Sequence, residues 1–393
     1  MKSLAYFLTL AAFAAIILWL SPHFELDQPF IGYSVGGAFL LFLAGKPEKV
    51  ELLATCLLGL GIGITVTHLG LLPRMLVTMA AGFGLASMAS MLSAAIWAYP
   101  RSRRLTWRVL GPASTLIFFV GSAVHTLMAG FFRQRTYDLY AYAFDGSFGT
   151  ELSFVLGRLI HGKVAPTEVV VIIYELVVVA IAAFYAAFMH RRERPLWELM
   201  ELLFGASLLG YVFYMVFPAT GPGYVFALFP MDALSIDQIR QLTPQSIPIS
   251  MHFPRNAVPS LHLTWALLIW WNARSLPRWA QLLAGFFVLG TAFSAMAIGE
   301  HYLFDLIVAL PFALLVQSLM IRTVRFTSRE RWLPAAFGLS VFLVWLAIGR
   351  FGLPLLLVNR LLPWALAILS SAICLVWAFR LPALIPEMQP QRS

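Results

Sequence analysis

The chain reads as a succession of long apolar runs separated by short polar clusters. Twelve runs can be marked, at about 4–20, 30–45, 52–72, 75–99, 109–131, 166–189, 197–217, 260–273, 279–299, 302–321, 333–349 and 356–379. Each approaches the ~20 residues a helix needs to cross the hydrocarbon of a bilayer, although the second and eighth are short. The first run follows Lys2, and no small-x-small cleavage site follows it at Ser21-Pro22-His23-Phe24. It is therefore expected to be a retained helix and not a signal peptide. The expected fold class is an all-α integral membrane protein with about twelve transmembrane helices.

Composition supports this pattern. Of 393 residues, 60% are hydrophobic and 11% charged, against roughly 25% charged in soluble domains. A soluble fold of this size would still have a large exterior to cover with polar groups, so soluble classes are excluded. The net charge of +9 does not indicate nucleic acid, because the 27 Lys and Arg lie in short clusters between apolar runs, as positive-inside loops do. With the N-terminus inside, eighteen of those 27 fall on the cytoplasmic side, including the clusters at 101–108, 191–194 and 322–331. Both termini are then cytoplasmic. Gln389–Ser393 carries no eukaryotic retention signal, which makes a bacterial inner membrane the default expectation. Cys56 and Cys374 lie inside apolar runs without metal or redox spacing.

Two outer loops are long, 132–165 and 218–259, and loops of this length usually carry function. The second opens Phe217-Pro218-Ala219-Thr220-Gly221-Pro222-Gly223-Tyr224, whose prolines limit backbone freedom. It is expected to be a shaped lid and not a slack linker.

Two short segments carry the candidate chemistry. Pro254-Arg255-Asn256-Ala257-Val258-Pro259-Ser260-Leu261-His262 opens the eighth run, and Ser260 is a good N-cap that places His262 in the first helical turn. Gly299-Glu300-His301-Tyr302-Leu303-Phe304-Asp305 opens the tenth, and the four-residue spacing puts His301 and Asp305 on one helical face. By parity of the spans both histidines sit at helix N-termini on the outer face, where free N–H groups and the helix dipole favour an anion such as phosphate. Asp305 would fix the tautomer of His301, whose other nitrogen would attack phosphorus. His262 would act as acid and then base. His68 and His125, mid-span, read as packing residues.

At these residues the sequence resembles the type 2 phosphatidic acid phosphatase superfamily of integral-membrane lipid phosphatases and phosphotransferases. Its P-S-x-H signature is matched by Pro259, Ser260, Leu261 and His262. Its S-R-x5-H-x3-D signature is matched by Ser294, His301 and Asp305, with Ala295 where the family has Arg. The resemblance implies His301 as nucleophile, Asp305 as its partner, His262 as acid and Ser260 near the phosphate. It also implies a six-helix catalytic core at 109–321, between a four-helix N-terminal extension (1–108) and a two-helix C-terminal extension and tail (322–393). The family's first signature, K-x6-R-P, has no counterpart in 211–259, which contains no lysine. Instead Tyr211-x2-Tyr214-x2-Phe217-Pro218 looks like the branch that contains inositol phosphorylceramide synthases and aureobasidin-resistance relatives.

A phosphomonoester dianion needs more cationic clamping than a phosphodiester, so these losses lean toward headgroup transfer. Arg255 or Arg240 would partly replace the missing cations, Asp145 would orient a polar acceptor, and Asn256 and Tyr214 complete the expected substrate-binding set. The expected partners are a lipid phosphate or phospholipid and the bilayer, with no nucleic acid, cofactor or metal; the oligomeric state is left open. Three other readings stay open: a phosphatase of phosphatidate or polyprenyl diphosphate, a lipid-linked glycosyltransferase using Glu25 and Asp27, and a transporter.

Overall fold

The computed structural model describes residues 29–68, 75–98, 129–192, 197–230 and 234–382. In chain order the elements are α1 (Pro29–Ala44), α2 (Lys49–His68), α3 (Met75–Ala98), β1 (Arg135–Thr136), α4 (Asp138–Gly146), α5 (Leu152–Ile160), α6 (Val164–Glu175) and α7 (Val177–Arg192). They continue as α8 (Trp197–Val216), α9 (Pro222–Val225), α10 (Ile236–Gln241), β2 (Ile247–Pro248), α11 (Leu261–Asn272) and α12 (Arg278–Ala297). The last four are α13 (Leu303–Met320), α14 (Arg329–Phe351), α15 (Leu353–Leu356) and α16 (Leu361–Arg380). Among the described residues the protein is thus all-α apart from one antiparallel pairing of β1 with β2, Arg135 opposite Pro248 and Thr136 opposite Ile247.

Six helices among the described residues are long and apolar enough to cross a membrane: α3, α8, α12, α13, α14 and α16. A seventh is added if α6 and the first part of α7, broken at Leu176, count as one span. This corrects the expectation of about twelve. The run at 4–20 and most of that at 109–131 lie outside the described residues. The runs at 30–45 and 260–273 form helices of only 16 and 12 residues. The second of these is instructive, because ten of the twelve residues of α11 are buried within the protein. Its apolar character answers to neighbouring side chains, as expected for a buried run of this length.

The described residues divide into two compact units, one holding α1–α3, α7 and the start of α8, the other holding the rest. In the first unit small residues allow close helix contact. A Cβ on Gly84 of α3 would lie 2.0 Å from the Val35 carbonyl oxygen of α1, and a buried hydroxyl pair, Thr55–Ser90 (2.7 Å), ties α2 to α3.

The second unit is built around α13, fourteen of whose eighteen residues are buried. Helices α4, α11, α14 and α16 pack on it. A buried amide pair, Asn272 Nδ2 to Gln317 Oε1 (2.9 Å), joins the C-terminal parts of α11 and α13. By contrast α12 leaves Trp279, Leu282, Leu283, Phe286 and Leu289 exposed, a face suited to lipid. The 217–223 end of the long loop is fastened to its neighbours. Pro218 O accepts from Tyr137 N (2.7 Å), Ala219 O from Ala257 N (3.0 Å), and Gly223 N donates to Gly299 O (2.8 Å). It forms a fixed wall beside the N-terminus of α13.

Candidate active site

Ser260 caps α11. Its Oγ accepts from Leu263 N (3.4 Å) and its carbonyl from the Thr264 hydroxyl (2.7 Å). This capping sets His262 in the first turn, where its ring stacks face to face on Tyr174, with centroids 4.0 Å apart and planes 17° apart.

The turn before α13 is held by the Ala295 carbonyl, which accepts from both Glu300 N and His301 N (3.0 Å each). Gly299 (φ +80°) makes this turn in the left-handed region that glycine tolerates best. His301 Nδ1 then lies 3.2 Å from Asp305 Oδ2, which also accepts from Tyr302 N (2.8 Å). The Ser260 Oγ lies 3.1 Å from His301 Nε2. All three side chains are buried. An ionised Asp305 can only accept, so Nδ1 carries the proton and Nε2 presents a lone pair to the Ser260 hydroxyl. That is the polarity an imidazole nucleophile requires.

Two further carboxylates hold this arrangement from the 132–165 loop. Asp145 accepts from Leu303 N (2.7 Å) and Phe304 N (2.9 Å), capping α13 from a distant part of the chain. Asp138 accepts from Thr220 N (3.1 Å), Gly221 N (3.0 Å), the Thr220 hydroxyl (3.2 Å) and the Tyr302 hydroxyl (3.2 Å). Burial raises the pKa of both carboxyls, of Asp145 well above the usual carboxylate range, and the backbone N–H groups offset only part of this. Gly221 is the close-approach residue of the wall. Its φ is +106°, and a Cβ there would lie 2.3 Å from the Glu300 carbonyl oxygen. Tyr224 reinforces the contact by donating its hydroxyl to Glu300 Oε1 (2.8 Å).

The residues expected from the sequence therefore separate into groups. His301, Asp305 and Ser260 form one hydrogen-bonded chain, with His262 near His301 through their shared neighbour Tyr174. Tyr214, in the last turn of α8, is buried. Asp145 serves as a helix cap. Arg255 is fully buried and its guanidinium donates to four backbone carbonyls, those of Arg133, Phe253, Ile249 and Ser250. Burial lowers its pKa. Arg240 lies on the surface, paired with Asp237 at 3.0 Å. Asn256 is partly buried. Glu25 and Asp27 lie outside the described residues.

Sequence reasoning missed Asp138, Tyr302 and Tyr174. Asp138 carries no local motif, and its partner Thr220 is 82 residues away. The one available signal was the Pro- and Gly-rich run at 217–224. Among the described residues no group of three or more His, Cys, Asp or Glu could hold a metal ion.

Comparison with known proteins found no match to a curated protein or to a solved structure. The family model described as PAP2 superfamily matches residues 140–319, a stretch that contains α11, α12, all but the last residue of α13 and the Ser260–His301–Asp305 chain. Residues 140–319, a little under half of the chain, are thus similar to the PAP2 superfamily, and the similarity implies the activity of a membrane phosphatase or phosphotransferase.

Proposed function

We propose that this domain moves a phosphoryl or phospho-headgroup from a lipid phosphate or phospholipid through a phosphohistidine on His301. The observation that supports this best is the continuous chain Ser260 Oγ–His301 Nε2 (3.1 Å) and His301 Nδ1–Asp305 Oδ2 (3.2 Å). Asp305 holds the Nδ1 proton and balances the imidazolium-like charge that develops as Nε2 bonds to phosphorus. The Ser260 hydroxyl turns from Nε2 to a phosphoryl oxygen as the nucleophile engages. His262 protonates the leaving oxygen, then takes the proton of the water or alcohol that resolves the intermediate. Its stacking on Tyr174 holds the ring in place for both transfers.

Transfer of a headgroup, of the inositol-phosphate kind, is favoured over hydrolysis by the two positions expected to clamp the phosphate, neither of which offers a free guanidinium. Ala295 presents only its carbonyl, and the Arg255 guanidinium is occupied by four others. A singly charged phosphodiester needs less clamping than a phosphomonoester dianion. The clustering of cations in the opposite loops supports a site on the extracytoplasmic face, in a bacterial inner membrane.

The test is rapid acid–base quenching of the purified protein with lipids radiolabelled in the phosphate. Label that is acid-labile, base-stable and lost in His301→Asn supports the phosphohistidine. Turnover that survives His301→Asn rules it out.

A further inference from the structure

A phosphate-bearing substrate needs a cation that is positioned but not already occupied. Arg255 does not qualify, because four carbonyls hold it, and Arg240 is paired at the surface with Asp237. Arg350, in the last turn of α14, has the complementary properties. Its Cζ lies 3.9 Å from the ring centre of Tyr140 and 4.4 Å from that of Tyr137, with Phe351 at 5.6 Å. Among the described residues its guanidinium has no hydrogen-bond or ion-pair partner, and the residue is half-buried. An arginine at a helix C-terminus commonly bonds the last carbonyls. Here aromatic rings lie against the guanidinium instead.

The position is tied to the site by packing. Gly349, the preceding residue, lies so close to Phe304 that a Cβ there would come within 2.4 Å of the ring, and Phe304 is the residue before Asp305. On the other side, Tyr137 N bonds to Pro218 O at the base of the 217–224 wall. Asp138, next in sequence, accepts from Tyr302, the neighbour of His301. Helix α14 thus brings Arg350 to the end of α13 that bears His301 and Asp305.

We infer that Arg350, held over Tyr137 and Tyr140, is an anion-binding residue that receives the phosphate group of the substrate. This rests on the phosphate-transfer reading above. The residue lies beyond the segment that matches the family, so the C-terminal helices take part in recognition and do not merely pack. A stacked guanidinium loses little freedom on binding and offers two parallel N–H donors to a phosphate.

The experiment measures binding of two probes, dioctanoyl phosphatidate in detergent micelles and inorganic phosphate, to full-length His301→Ala protein with and without Arg350→Gln. Thermal unfolding of each variant is recorded alongside. The expected result is that Arg350→Gln weakens phosphatidate binding by about tenfold or more and flattens its salt dependence, with unchanged unfolding and partial recovery in Arg350→Lys. If inorganic phosphate competes in an Arg350-dependent way, the phosphate group alone is the ligand; if only the lipid binds, the ligand is the membrane-held headgroup. Equal affinity with and without Arg350, or no binding of either probe, overturns the inference. Arg350-dependent binding without His301-dependent turnover of any lipid would keep the anion site and remove the catalytic reading. Turnover with kcat and KM indifferent to Arg350→Gln would do the reverse.

Discussion

His301 and Asp305 are four residues apart, but His301 precedes the first turn of α13, so the turn held on the Ala295 carbonyl brings the pair together as much as the helix does. The Tyr302 amide and the His301 ring share Asp305 Oδ2, while Ser260 approaches Nε2 from the cap of another helix. A different situation holds at Glu151. It is fully buried, and neither of its oxygens has a hydrogen-bond partner. Burial first, and the neighbouring Asp145 second, push its carboxyl well above the usual range. A carboxyl raised in this way contributes fully to stability below the ordinary glutamate pKa, and that contribution is lost as pH climbs through the raised folded value. Glu151→Gln should therefore have little effect near about pH 4 and stabilise by on the order of 1–3 kcal/mol near about pH 8. Thermal unfolding of both proteins across that range measures it, and an identical difference at both ends would show that Glu151 titrates in the fold as it does in the unfolded chain.

Among the elements, α13 depends on a carboxylate outside itself. Asp145 satisfies the Leu303 and Phe304 amides and so fixes the turn that presents His301. Asp145→Ala should destabilise by about 1–2 kcal/mol, the ordinary value of a lost cap. It should also lower kcat more than KM, because the His301–Asp305 geometry loosens. Asp145→Asn, which keeps an acceptor, should fall between. A KM effect alone would mean that Asp145 touches substrate instead. The two helix starts bearing Ser260, His262, His301 and Asp305 were legible in the sequence because caps and i,i+4 spacing are local properties. The span number was less so. Hydropathy does not distinguish a helix that faces lipid from one enclosed by protein, and α11, with ten of twelve residues buried, is of the second kind. Nor could spacing reveal that Arg255 would be taken up by carbonyls or that Asp138 would meet Thr220, since both arise from contacts between segments far apart in sequence.

For the whole molecule, six or seven candidate spans and clustered cations describe an integral membrane enzyme with its polar constellation at the ends of helices. Placing that constellation outside the cell makes a definite expectation. In a Cys56→Ala, Cys374→Ala background, Asp237→Cys in the exposed 218–259 loop should react with an impermeant maleimide in intact cells. Arg325→Cys, between α13 and α14, should react only after lysis. The opposite pattern would place the site on the cytoplasmic face. The aromatic cluster of Phe144, Phe148, Trp345 and Trp364 joins the C-terminal helices to α4, which makes a catalytic domain acting without them physically unfavourable.

The most direct measurement is product analysis of the purified protein, with a panel of lipid phosphates and phospholipids, beside His301→Ala. Free phosphate and the mass of each lipid product are followed together. A new headgroup-bearing lipid, or released phosphate, that disappears in His301→Ala is the expected result, and which of the two forms decides between transfer and hydrolysis. Turnover unchanged by His301→Ala would contradict the account at its centre.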